Sequence, residues 1–414
     1  CYNIIKYYKK GDRMIRKIKE YISSHWSECI RENMHDDGTL IGLPYPYCVP
    51  AAGHFDELYY WDTYFTNIGL ILDGKAMLAK NNTDNMLYMV NKYGYYPNGN
   101  RTFFLDRSQP PFLSVMVRDI YKYYNDKVWL SSAYETLKKE YDFWNTKRIL
   151  PTGLNFYNPV PQPEEAEELA EDYASRVSVM PEGSAFDIAH HYLVVCESGW
   201  DSNPRWGFEG YNYAPVDLNS LMYAFETNMS FFSKELDRGE EAEWIKRAEK
   251  RQKLMEKYML DESGIFMDLN FKTGAKSTIF SVASLYPMFC GMASEAQAKA
   301  AVEKLDRLIA PFGLFTCEKN DFPGTHQWNY PIGWACMHHI AFTALDKYGF
   351  KDIARLIASK YISLVEKTFA ETGRLWEKYN VLEGSLNVVR QSTMPPMMGW
   401  SAGTFLSACD YLNK

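Results

Sequence analysis

The segment from Asp217 to Leu236 sets the terms for the rest of the chain. Leu218, Leu221, Met222, Phe225, Met229, Phe232 and Leu236 recur almost throughout at i, i+3, i+4 and i+7. That spacing lays one apolar stripe along a helix that must be buried against other helices. Asp217 is the expected N-cap. Comparable patterns predict helices over Met14–Arg31, Asp84–Tyr93, Pro111–Tyr124, Lys127–Asn145, Pro163–Ser175, Glu240–Tyr258, Ser294–Ile309, Trp334–Tyr348, Asp352–Phe369 and Gly403–Leu412. Glu57–Leu72 reads as a loop running into a buried helix, and Gly264–Lys276 alternates like a short hairpin. Helices dominate, and no stretch has the composition of a flexible linker. Residues 1–414 are therefore expected to form one all-α domain of paired helices, an (α/α)6 barrel with long decorated loops and a few short strands.

The loops carry the unusual residues. Glu197–Trp206 reads E-S-G-W-D-S-N-P-R-W, in which Gly and Pro break regular structure while two tryptophans surround Asp201. Similar pairings of acid or amide with aromatics occur at Trp61-Asp62, from Asn98 to Gln109, at Gln327-Trp328-Asn329 and at Trp376-Glu377-Lys378-Tyr379, with Glu182 among the acids. Repeated on loops of a helical chain, they suggest a pocket that binds sugar between polar forks and an aromatic floor. Each has an ordinary alternative. Asp62 suits a helix cap, Arg107 a salt bridge, Trp200, Trp206 and Trp328 core contacts, and Glu377-Lys378 an exposed ion pair.

Other chemistries lack their signatures. The net charge of −7 and the absence of basic clusters interleaved with aromatics argue against nucleic acid. His190-His191 and His338-His339 are adjacent pairs that diverge on any regular element, so no metal site is expected. Phosphate-binding glycine loops and a G-x-S-x-G elbow are missing from the sequence. What remains is carboxylate chemistry without a cofactor, in which one acid protonates a glycosidic oxygen and another activates water or attacks the anomeric carbon.

The eight cysteines are scattered without a C-x-x-C pair, and no signal peptide or membrane span is visible, so a cytoplasmic location is expected. The chain starts at Cys1 rather than Met, with Met14 a candidate start, which leaves a periplasmic or lipid-anchored form open. A small carbohydrate is the expected partner, with a monomer favoured.

E-L-Y-Y-W-D-T-Y-F (Glu57–Phe65), P-N-G-N-R (Pro97–Arg101), R-S-Q-P-P (Arg107–Pro111), S-G-W-D (Ser198–Asp201), V-D-L-N-S-L-M (Val216–Met222), Q-W-N-Y-P-I-G-W-A (Gln327–Ala335) and E-K-Y-N-V (Glu377–Val381) resemble, in order, the motifs of the trehalase family. The resemblance runs from about residue 45 onward. It implies a cofactor-free inverting α-glycosidase with Asp201 as general acid and Glu377 as general base. It further implies sugar contacts from Phe55, Trp61, Asp62, Asn98, Arg107, Glu182, Gly199 and Trp328, with Gln109 and Trp200 beside them. His54 and Met180 stand where the family carries arginines, Gln391 where it carries a glutamate, and Leu382–Arg390 replaces a glycine-rich lid. These departures surround the leaving group, so His54 and Gln391 are expected to contact a rebuilt subsite there. Barrels of the glucosidase I type that cleave glucosyl- or mannosylglycerate share the W-D and S-G-x-D themes. They stand as an alternative, as does a carbohydrate-binding protein on a retired glycosidase scaffold.

Overall fold

The computed structural model describes residues 2–388, 394–396 and 398–414, with side chains from residue 13. Its helices are α1 (Tyr2–His25), α2 (Tyr60–Leu72), α3 (Ala76–Tyr93), α4 (Leu113–Tyr124), α5 (Lys127–Thr146), α6 (Ala166–Val177), α7 (Ala185–Ser198), α8 (Val216–Glu235), α9 (Glu241–Met259), α10 (Tyr286–Phe289), α11 (Glu295–Glu303), α12 (Ala335–Lys347), α13 (Lys351–Thr372) and α14 (Gly399–Asn413). Helix α2 packs on α4, α4 on α8, α8 on α10, α10 on α12, α12 on α14, and α14 returns to α2. That closed ring is the inner wall of an (α/α)6 barrel. Helices α3, α5, α9 and α13 back it from outside, while α6 and α7, which follow α5 and precede α8 in the chain, pack on each other.

The two rings differ in sequence for a physical reason. Inner α8 buries residues on all sides, including Asp217, Asn219, Glu226 and Asn228, because it is surrounded by protein. Outer α9 buries only Trp244, Ala248, Arg251, Met255 and Met259, a single stripe beneath a charged face. Closure of the ring depends on small residues. A Cβ on Gly403 of α14 would overlap the carbonyl oxygen of Phe65 in α2, and one on Gly69 would come within 2.8 Å of Gly403 Cα. Any side chain there would force the two helices apart.

The strands are short antiparallel pairs: β1 (Ile30–Arg31) with β2 (Tyr47–Cys48), β3 (Tyr213–Ala214) with β4 (Leu269–Asn270), β5 (Ile309–Ala310) with β6 (Gly313–Leu314), and β7 (Ile332–Trp334) with β8 (Lys378–Asn380). The expected hairpin over 264–276 is present in short form, Leu269 bridging Lys276 across a turn, and its strand β4 also pairs with distant β3. Helix α7 arises where no periodic stripe announced one, because its residues face protein on several sides, with Ser184 capping it through Asp187 N. Asp217 is not the N-cap of α8. Pro215 holds that position, and the Asp217 carboxylate binds Arg205 instead.

Candidate active site

The loop from Glu197 to Trp206 is fastened at both ends by buried charge. Glu197 lies in the last turn of α7 and is fully buried. Its carboxylate accepts from Arg148 Nη2 at 2.9 Å, from Ser108 N at 2.9 Å and from Asn158 N at 3.1 Å. One acid thus ties the R-S-Q-P-P loop to α7. At the other end, Arg205 donates to Asp217 at 2.9 and 3.1 Å and to Asp268 at 3.0 and 2.7 Å. Asp268 also accepts from Trp206 Nε1 at 2.9 Å, and Arg205 lies over the Trp200 ring at 4.4 Å. Every face of this buried guanidinium is occupied, which meets the cost of removing its charge from water.

Between these anchors Gly199 caps α7 with φ +71°, and an added Cβ would sit 2.7 Å from Trp61 Cε2. The left-handed backbone and the close indole both require glycine there. The turn delivers Asp201 to a cavity open to solvent, lined by Phe55, Tyr59, Trp61, Asp62, Gln109, Gly199, Asp201, Gln327, Trp328, Trp334, Glu377 and Trp400.

The opposite wall is built on the β7–β8 ladder, where Trp334 pairs with Lys378 in register. Trp328 stacks on Trp334 at 3.9 Å between centroids, Trp200 stacks on Trp328 at 5.4 Å, and Trp400 meets Trp334 edge-on at 5.4 Å. Glu377 begins this wall. Its Oε2 accepts from Lys378 Nζ at 2.9 Å, and both side chains are nearly buried. Asp62 enters from the first turn of α2, whose N-cap is Tyr59 rather than Asp62.

The carboxyls have different environments. Burial pushes Asp201 up to about 6; nearby Arg176 and Arg107 oppose that shift and Glu377 adds to it. Burial pushes Asp62 up to about 8, with Glu377 and Asp201 contributing. Asp62 is therefore a neutral acid near pH 7, able to donate a hydrogen bond to a hydroxyl. The cavity can thus hold a pyranose against indole faces while presenting two protonatable carboxyls, Asp201 and Asp62, and one cation-paired carboxyl, Glu377, to it.

Of the residues expected from the sequence, Phe55, Trp61, Asp62, Gln109, Gly199, Asp201, Trp328 and Glu377 converge on this cavity. Trp200 stands behind Trp328 as support. Asn98 fastens loops, its Nδ2 reaching Cys196 O at 3.4 Å and its backbone N reaching Arg107 O at 2.9 Å. Arg107 lies outside the lining and binds Asp106 through Nη1 at 2.6 Å, near enough to Asp201 to oppose the rise of its pKa. His54 and Glu182 are exposed and do not line the cavity, Met180 is exposed as well, and Gln391 falls outside the described residues. Trp206 belongs to the Arg205–Asp268 anchor and not to the surroundings of Asp201. Glu377-Lys378 is an ion pair, but a buried one.

Tyr59, Trp334 and Trp400 join the lining without having been singled out. Tyr59 and Trp334 lie inside quoted motifs, where an aromatic beside W-D or closing Q-W-N-Y-P-I-G-W was the available signal. Nothing local distinguishes Trp400 from a core residue. Among the described residues no group of three or more His, Cys, Asp or Glu is placed to hold a metal ion. Burial pushes His338 and His339 down to about 4, and the backbone N of Leu314 donates to His338 Nε2.

The trehalase family model matches residues 3–413. The chain belongs to the trehalase family. It is 31% identical over 440 residues to a periplasmic trehalase of Shigella flexneri serotype 5b, covering 98% of this chain and 76% of that protein. A periplasmic trehalase of Xanthomonas campestris pv. campestris (strain B100) is 31% identical over 397 residues, covering 88% and 68%. Neutral trehalase Nth1 from Saccharomyces cerevisiae shares the structure with a TM-score of 0.77 at 29% identity, covering 95% of this chain and 80% of that one. The GH63 mannosylglycerate hydrolase from Thermus thermophilus shares the fold at a TM-score of 0.64 and 16% identity, covering 89% and 96%. Membership makes this chain a trehalase-type glycoside hydrolase. No helix among the described residues is long and apolar enough to cross a membrane.

Proposed function

We propose that this trehalase-family hydrolase cleaves α,α-trehalose with inversion, Asp201 acting as general acid and Glu377 as general base. The observation that carries the reading is the pairing of two carboxyls on one indole-lined cavity, one raised by burial and one bonded to an ammonium. Asp201 transfers its proton to the glycosidic oxygen as the C1–O bond breaks. Water adds to C1 from the opposite face while Glu377 accepts its proton, and two glucose molecules leave. Asp201 then regains a proton and Glu377 loses one to solvent. Filling the cavity with sugar removes remaining water from Asp201 and favours its protonated form further.

Glucose release from trehalose tests the substrate, with glucosylglycerate and other α-disaccharides as competitors. Proton NMR of the first turnovers tests the stereochemistry: inversion yields equal α- and β-glucose, whereas two α-glucose molecules would exclude it. An inverting geometry also requires carboxyls roughly 6.5–9.5 Å apart, which a substrate-analogue complex would measure.

The relatives named periplasmic trehalases give the cytoplasmic expectation no support. We therefore read this chain as acting outside the cytoplasm, which cell fractionation with a cytoplasmic marker enzyme tests.

A further inference from the structure

Lys378 is an unusual residue for a cavity wall. Its side chain is 7% exposed, yet an ammonium has three N–H donors to satisfy and no acceptor capacity. Two donors are accounted for: Glu377 Oε2 at 2.9 Å and Gln327 Oε1 at 2.7 Å. The remaining face lies over the Trp334 ring, with Nζ 4.7 Å from its centroid. Trp334 in turn donates its indole N–H to the Gln327 carbonyl oxygen at 2.9 Å, so Gln327 is held at both backbone and side chain. The lysine is committed to protein, while the three groups it touches all line the cavity.

Two consequences follow from donor and acceptor chemistry alone. Because Oε2 of Glu377 is engaged, Oε1 is the oxygen left to take a proton from water. Because an ammonium cannot accept, Gln327 must turn its carbonyl oxygen toward Lys378. Its Nε2 then faces away as a donor. A water between them would give a proton to Glu377 Oε1 and accept a hydrogen bond from Gln327 Nε2, with a lone pair left for carbon. We propose that Lys378 is a positioning residue: it fixes which oxygen of Glu377 acts as base and which way the Gln327 amide points, and so orients the attacking water without touching substrate.

The inference rests on Glu377 being the base. Lys378→Met keeps the length and apolar stem but removes the charge. The expected result is a kcat loss of about 10²-fold with KM within about threefold, since orientation of the nucleophile is lost rather than sugar binding. Lys378→Ala should regain at least about tenfold in kcat with added propylammonium, and nothing with tetramethylammonium at equal ionic strength, because only the former supplies N–H donors. In a double-mutant cycle with Gln327→Leu the losses should be strongly non-additive.

A folded Lys378→Met enzyme with kcat within about twofold of wild type overturns the proposal, as do independent losses in the cycle. Thermal melting checks folding. Should the lysine variants fail to fold, Gln327→Leu decides alone: its kcat should fall about tenfold with melting unchanged, and wild-type kcat overturns the idea. Glu377→Gln separates the two claims. Full turnover there removes the base assignment, whereas an inactive Glu377→Gln beside a wild-type-like Lys378→Met removes only the role of Lys378.

Discussion

The two halves of the active site solve the same problem by opposite means. On the acid side, Asp201 has no ion-pair partner among the described residues; the charges that fix its loop are one step away, in Glu197–Arg148 before it and Arg205–Asp217–Asp268 after it. On the base side the charge is in direct contact, Lys378 against Glu377 on a strand. A group that must hold a proton gains from a half-buried, indole-lined site whose rigidity comes from elsewhere. A group that must stay ionised tolerates a cation at hydrogen-bond distance. Environment, rather than residue type, divides the labour between two carboxylic acids.

The strongest way to break this comparison is to neutralise each half in turn. Asp201→Asn and Glu377→Gln should each lower kcat on trehalose by about 10²–10⁴-fold or more, with melting temperature unchanged. A wild-type rate in either variant would sink the assignment. Next in size is Arg205→Met, which strands two buried carboxylates. It should destabilise the fold by about 3–5 kcal/mol in denaturant titrations, and little change would mean that the loop is not held by charge. Gly199→Ala attacks the acid loop without touching charge. Its Cβ must displace Trp61 and its backbone is strained, so kcat/KM should fall about tenfold to a hundredfold.

The pH profile sharpens the contrast. The acid must be protonated, so kcat/KM should fall as pH rises above about 6, the raised value of Asp201. A basic limb at pH 4 would refute the role given to burial. The smallest effect belongs to Trp206→Phe. Losing the bond to Asp268 should cost about 1 kcal/mol of stability and leave the basic limb where it was, since that indole serves the anchor and not the acid.

Much of this was legible in the chain itself. The stripe along α8 and its counterparts gave the helical barrel, because an apolar period survives in any one sequence. The aromatic-acid loops hold seven of the eight expected cavity residues, since short motifs bring acid and indole together locally, and the family resemblance supplied the eighth, Phe55. The misses share a cause. The stripe search passed over α7, whose buried face is too broad to leave a clear period, and strands of two or three residues such as β7 and β8 have no period to detect. Whether Glu377-Lys378 is exposed or buried depends on the tryptophans packed over it, which come from Gln327–Trp334 and from Trp400. Trp206 was assigned to Asp201 by proximity in sequence, but a buried indole N–H goes where an acceptor is available, here Asp268. Arg107 sits in a motif beside the cavity, but its guanidinium went to the adjacent Asp106. His54 and Glu182 are exposed and lie off the cavity wall, because neither a motif nor an acid in a loop fixes which way a side chain faces.

The contact of Gly69 with Gly403 has a further consequence for the chain as it is made. The ring shuts only when α14, the last of its inner helices in chain order, reaches α2, the first. Until then the α2 backbone around Phe65 and Gly69 waits uncovered, and Trp400, at the start of α14, has not yet come against Trp334. Chains emerging at about 5–20 residues per second must hold an open horseshoe of helices until α14 arrives. A chain interrupted before residue 399 would carry Asp62, Asp201 and Glu377 yet lack the helix that draws their walls together, so catalysis should appear only once α14 has been made.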